Sequence, residues 1–150
     1  DALESCAAAE AAQYITVQQL DDLEIVVRQF FAIASAVAQN SEKCATPSQR
    51  ESWLDSEKEF HQILVEASRN QLLAKVIQEH RIISDVFKTQ QFGLKILTSE
   101  AIKITCKNKM DLLDALRKRD SDLARELMSK QIQGARKTMI AAIRKQERDL

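Results

Sequence analysis

Glu57 and His61 stand four residues apart, so on a helix they share one face and can both reach one cation. Leu54 and Leu64 continue their line, with Phe60 and Ile63 beside it, which turns this polar pair toward an apolar interior. Three further segments repeat the pattern. His80 lies between Val76/Ile77 and Ile83/Phe87, Lys109 between Cys106 and Leu112/Leu113, and Gln131 between Leu127/Met128 and Ala135. Burying a polar group costs free energy unless it is paired, so side chains of this kind serve a site or satisfy one another. Convergence of the four stripes predicts a polar pocket inside an apolar bundle, where helical bundles place ligand sites. Arg81, next to His80, is a further cation within reach of such a pocket.

Each residue also has a plain structural role open to it. A histidine on an apolar face is often a hydrogen-bonded core residue, and a lysine can lay its stem on the surface with its ammonium in water. A di-iron bundle needs two Glu-x-x-His motifs, but the residues three before the histidines are Lys58 and Ile77. No Ser/His/Asp constellation, glycine-rich phosphate loop or His-Glu-x-x-His is present, so no enzymatic activity is expected.

Helices must position these groups. The chain has 150 residues, 45% hydrophobic, with only 2 Gly, 1 Pro and 5% aromatic side chains, which argues against a sheet protein. Apolar spacing predicts six helices over about 2–13, 17–39, 47–69, 71–91, 99–118 and 121–147. Thr16/Gln19 and Thr46/Gln49 form capping boxes, the second with Pro47 at the first helical position. Asn70 predicts a break, Gly93 a helix end, and Asp120 an N-cap; Gly134 predicts a bend or close packing. The expected architecture is all-α, an antiparallel bundle of about six helices in one domain, residues 1–150.

Charge narrows the partners. Lys+Arg and Asp+Glu both number 22, so the net charge is zero and no free-standing nucleic-acid binder is expected. Residues 1–60 hold 4 basic and 11 acidic side chains, whereas 117–148 hold 10 basic and 4 acidic, so the two ends can neutralise each other or those of a second subunit. Cys6, Cys44 and Cys106 form no disulfide or zinc framework, and no apolar run spans a membrane; a reducing cytoplasm fits.

The stretch Glu57-Lys-Glu-Phe-His61-Gln-Ile-Leu-Val-Glu-Ala-Ser-Arg-Asn70-Gln-Leu-Leu resembles the D-x-x-F-H-x-x-L-x-x-A-[SG]-x-N-x-x-L core of the FCD domain. This is the effector-binding half of the FadR branch of GntR-type bacterial transcription regulators. Leu3-Glu4 with its alanine-rich continuation is similar to the family's opening. Leu113-Asp-Ala-Leu116-Arg-Lys-Arg-Asp120-Ser-Asp-Leu-Ala124-Arg-Glu-Leu-Met128 is similar to its I-x-x-A-I-x-x-x-D-x-x-x-A-x-x-x-M run.

The resemblance implies a dimerising, all-helical effector domain. It also implies operator binding through an N-terminal winged helix-turn-helix, which is expected to be missing from this chain. Many members hold a divalent metal with an Asp, the histidine of the F-H motif and two later histidines. Those positions fall on Glu57, His61, Lys109 and Gln131. An ammonium cannot ligate a metal and opposes a nearby cation, so loss of the metal is expected, with a Glu57–Lys109 pair in its place. The expected ligand is a small carboxylate effector, held by Lys109 with His61, His80 and Arg81, while Gln131 and Glu57 complete the site. Two alternatives stay open: a purely structural dimerisation module with a closed polar network, and residual zinc or nickel binding through Glu57, His61 and His80.

Overall fold

The computed structural model describes residues 1–89 and 97–148. Six helices follow one another: α1 (Ala2–Tyr14), α2 (Val17–Gln39), α3 (Pro47–Ala67), α4 (Gln71–Thr89), α5 (Ser99–Arg117) and α6 (Ser121–Arg148). No strand occurs among the described residues. An isolated bridge between Cys44 and Thr98 ties the α2–α3 loop to the start of α5.

Local chemistry fixes the helix starts. Both capping boxes form: Thr16 and Thr46 accept from the backbone N–H of Gln19 and Gln49, whose side chains accept in return from the cap N–H groups. Thr98, Asn70 and Asp120 start α5, α4 and α6 by accepting from Ala101, Leu73 and Leu123. The break expected at Asn70 is thus an N-cap. Helix α3 ends at Ala67 rather than near residue 69, because Arg69 takes a positive φ of 55° and turns the chain. Gly93 and the end of the fourth helix near residue 91 lie outside the described residues, as do the side chains of Ile83 and Phe87.

Cross-connections show antiparallel packing. Asn40 donates to Gln49 and Ser56 to Gln29 between α2 and α3, and Arg117 pairs with Glu24 between α5 and α2. Ser129 and Gln133 of α6 donate to Asp1, while Arg119, just before α6, donates to the Gln13 carbonyl at the other end of α1. Helix α1 is enclosed by its neighbours, with Ala7, Ala8, Ala11 and Ala12 fully buried. Alanine lets several helices approach one axis closely, and this brings the first turn of α1 to the polar cluster described below.

The main core joins Leu23, Val27, Phe30, Phe60, Leu64, Ile102, Leu112, Leu116 and Met128, all at most 1% exposed. A smaller cluster of Ala7, Val65, Leu73 and Ile77 seats α4 on α1 and α3. Three expected inward positions face solvent instead: Leu54, Val76 and Ala135 are exposed. Gly134 is exposed as well, and a Cβ placed there meets nothing within 4 Å, so close packing is not the reason for this glycine.

Candidate functional site

Three of the residues expected to converge do meet. Glu57 and His61 project from one face of α3, and Lys109 reaches them from α5. The Lys109 ammonium donates to Glu57 Oε2 at 2.8 Å, and His61 Nε2 lies 3.4 Å from the same oxygen. Lys109 is 2% exposed, which places its charge inside the bundle. Its Nζ sits 4.4 Å from the Phe60 ring centre and 5.6 Å from that of Phe30. Aromatic faces attract a cation, so these rings replace part of the hydration the ammonium has lost. Phe30 and Phe60 pack edge to face 6.3 Å apart, and Trp53 packs on Phe30 in the same way.

Arg81 belongs to this cluster through Glu4. Its Nε and Nη2 donate to Glu4 Oε1 at 3.2 and 2.8 Å. Glu4 Oε1 also stands 3.8 Å from His61 Nδ1. The site is therefore a chain of groups from α1, α3, α4 and α5, running Arg81–Glu4–His61–Glu57–Lys109. Glu4 and Arg81 form its half-exposed rim, and Lys109 its buried end.

Helix α1 supplies Glu4, a participant the sequence reading overlooks. Glu4 lies one turn before Ala8 on the side of α1 that enters the core through Ala8, Ala11 and Ile15, so helical spacing does mark it. Alanine is too weakly apolar to define a face, and a glutamate in a first turn is otherwise explained by the helix dipole.

His80 corrects the expectation that it turns inward. It is exposed. Over its described side chains, helix α4 is seated through Leu73 and Ile77 against α1 and α3. The line Leu73–Ile77–Arg81 continues along that contact, and His80, rotated about 100° from Arg81, is left in water. Gln131 is half-buried, and its amide donates to the Asn108 carbonyl at 2.8 Å, which ties α6 to α5 beside Lys109. Among the described residues no hydrogen bond links Gln131 to the Glu57–Lys109 pair.

Charges in the cluster support one another. Burial alone raises the Glu57 carboxyl, but the Lys109 ammonium and His61 outweigh it and hold Glu57 down at about 2. Burial likewise raises Glu4, and the positive charge of His61 in its protonated form, together with the Arg81 guanidinium, brings it below the usual carboxylate range. His61 is lowered by burial and by the Lys109 charge, against the pull of Glu57 and Glu4, so the neutral ring is favoured. Its Nε2 faces the nearer carboxylate and takes the ring proton in this arrangement. Nδ1 is then an acceptor, buried without a hydrogen-bond partner.

A family model for the FCD domain matches residues 1–134. The chain belongs to the FCD domain family. No curated protein and no solved structure matches it. Its fold is the all-α bundle of an FCD domain, a regulatory type of domain. No helix among its described residues is long and apolar enough to cross a membrane.

The metal implied by the FCD resemblance does not fit the residues present. Of the four positions concerned, Lys109 presents an ammonium 2.8 Å from Glu57, and the Gln131 amide is engaged by a helix carbonyl. Only Glu57 and His61 keep donor character, and a divalent cation between them meets the Lys109 charge at close range. His80 is exposed and does not complete the set. Among the described residues no group of three or more His, Cys, Asp or Glu side chains is arranged to hold a metal ion.

Proposed function

We propose that this FCD domain senses a small organic acid and dimerises, as the effector half of a GntR-type cytoplasmic transcription regulator of the FadR branch. Operator DNA is then bound by a winged helix-turn-helix elsewhere in the parent protein, and the domain itself carries no catalysis. The observation that carries the reading is the Lys109 ammonium, 2% exposed and 2.8 Å from Glu57. In this reading it is an internal cation that serves in place of a metal. Arg81 at the rim receives an incoming carboxylate first, and Lys109 holds it by exchange with Glu57.

Such an exchange gives a physical route to regulation. Glu57 stands on α3 and Lys109 on α5. Replacing their direct bond by two bonds to a ligand alters the contact between these helices. A ligand that prefers one arrangement shifts the population of the dimer by its differential affinity, and ~1–3 kcal/mol is the usual scale of such coupling. Thermal denaturation over a panel of small carboxylates tests the reading. A saturable rise in Tm that Lys109→Met abolishes supports it, and no response to any member contradicts it.

One observation favours a second reading, that of a structural module. Glu57 and Glu4 each already hold a cation, so both ion pairs are complete without a ligand. In that case the panel leaves Tm unchanged, while loss of Lys109 still weakens the fold.

A further inference from the structure

The charges of the cluster sum to zero. Glu4 and Glu57 are anionic, Lys109 and Arg81 cationic, and His61 neutral. A simple carboxylate entering this cluster adds one negative charge and must take a cation from Glu4 or Glu57. The displaced carboxylate is then left in a partly buried place without a counter-charge, which is costly. A molecule bearing both a carboxylate and an ammonium avoids this, because it can insert into an existing ion pair and leave every charge partnered.

The geometry offers one place for that insertion. In the Arg81–Glu4 pair both partners reach solvent, with side chains 27% and 24% exposed, whereas the Lys109–Glu57 pair keeps its cation buried at 3%. On the inner side of Glu4, His61 Nδ1 is a buried acceptor with no partner, 3.8 Å from Glu4 Oε1. Two acceptors this close face each other unfavourably unless a donor touches both. That donor needs two hydrogens, which a hydroxyl lacks and an ammonium or a water supplies. Donor–acceptor distances of about 2.8–3.0 Å allow a single nitrogen to reach both atoms.

We infer that the effector is an amino acid or a similar zwitterion, with its ammonium seated between Glu4 and His61 Nδ1 and its carboxylate on the guanidinium of Arg81 released from Glu4. The inference rests on the reading of this cluster as the effector site, and it narrows the organic acid to one carrying a primary amine. Lys109 and Glu57 keep their own ion pair and form the floor of the site.

Titration calorimetry tests this with three matched sets of probes: the L-amino acids, their des-amino carboxylic acids, and their N,N,N-trimethyl derivatives, which keep the positive charge but lack N–H donors. The expected result is at least one amino acid that binds ten-fold or more tighter than its des-amino partner, with no binding of its trimethyl form. Glu4→Gln should reduce that preference to less than three-fold, whereas Glu10→Gln, on the same helix but bonded to Asn70, should leave it intact. Should Glu4→Gln fail to fold, the trimethyl probes still decide the point on the unaltered protein. Equal or tighter binding of the des-amino acids overturns the inference and leaves the carboxylate reading standing. Binding of the trimethyl forms, or a preference untouched by Glu4→Gln in a folded variant, overturns it as well. No binding by any probe overturns both.

Discussion

The Lys109 ammonium bonds to Glu57 at 2.8 Å and lies 4.4 Å from the Phe60 ring centre, so a single buried cation joins α5 to α3. Removing one partner of such a pair leaves the other uncompensated. Lys109→Met should cost roughly 3 kcal/mol, the low end of the range for buried pairs, because Glu57 keeps 26% of its side-chain surface in water. The double variant Glu57→Leu/Lys109→Met should recover most of that loss, since no charge is left stranded. Urea denaturation of the four forms checks it; strictly additive losses would show that the two residues do not act as a pair.

Acid should weaken the fold in two stages. His61 is held neutral below its ordinary value, so the unfolded chain binds its proton more readily, and stability begins to fall as pH drops through about 6.5. Glu57 is held at about 2, so its contribution is complete above the ordinary carboxylate value near 4.5 and is lost as pH falls from there toward 2. Tm measured from pH 7.5 to 3 should decline in the upper range for the unaltered protein. In His61→Phe that upper decline should be absent, while the steep loss below pH 4.5 remains. A flat Tm between pH 7 and 5 in the unaltered protein would count against a buried neutral His61.

The three cysteines should separate cleanly by reactivity. Cys106 is buried beside the cluster, and burial together with the Glu57 charge pushes its thiol up to about 11. Cys6 and Cys44 are half-exposed. At pH 8 a maleimide should modify Cys6 and Cys44 within minutes and Cys106 only as fast as the protein unfolds. Peptide mapping of the labelled chain reads this directly, and early labelling of Cys106 would mean that the core around Lys109 opens readily.

Close packing around α1 gives a further test. Ala8 is fully buried among neighbouring helices, with no room for a longer side chain unless they move apart. Ala8→Leu should therefore destabilise by about 1–3 kcal/mol despite its better apolar character. Denaturant midpoints measure it, and a stabilised variant would indicate loose packing along this axis.

Much of this arrangement was legible in the residues. Helix starts were readable because capping is local: Thr16 with Gln19 and Thr46 with Gln49 satisfy their own backbone groups whatever the rest of the chain does. Lys109 was readable because a charge on a strongly apolar stripe demands a partner, and Glu57 with His61 was the pair on another stripe that offered one. Two features depended on packing instead. Glu4 hides on a helix of alanines buried on several sides, and His80 sits on a helix whose described side chains pack through Leu73 and Ile77, where a difference of one position separates Arg81 in the cluster from an exposed side chain. Register within a helix is periodic and local, whereas the width of the face that its neighbours cover is set by the whole bundle.

The proposed exchange of Glu57 for a ligand carboxylate on Lys109 is most directly tested at the lysine nitrogen itself. The ¹⁵N resonance of the Lys109 ammonium can be followed by NMR while a stabilising dicarboxylate or dicarboxylic amino acid is added. A saturable shift of that resonance, with the same midpoint as the rise in Tm, is the predicted result. A resonance that stays in place while the ligand saturates and Tm rises would place binding elsewhere and contradict the role given to Lys109.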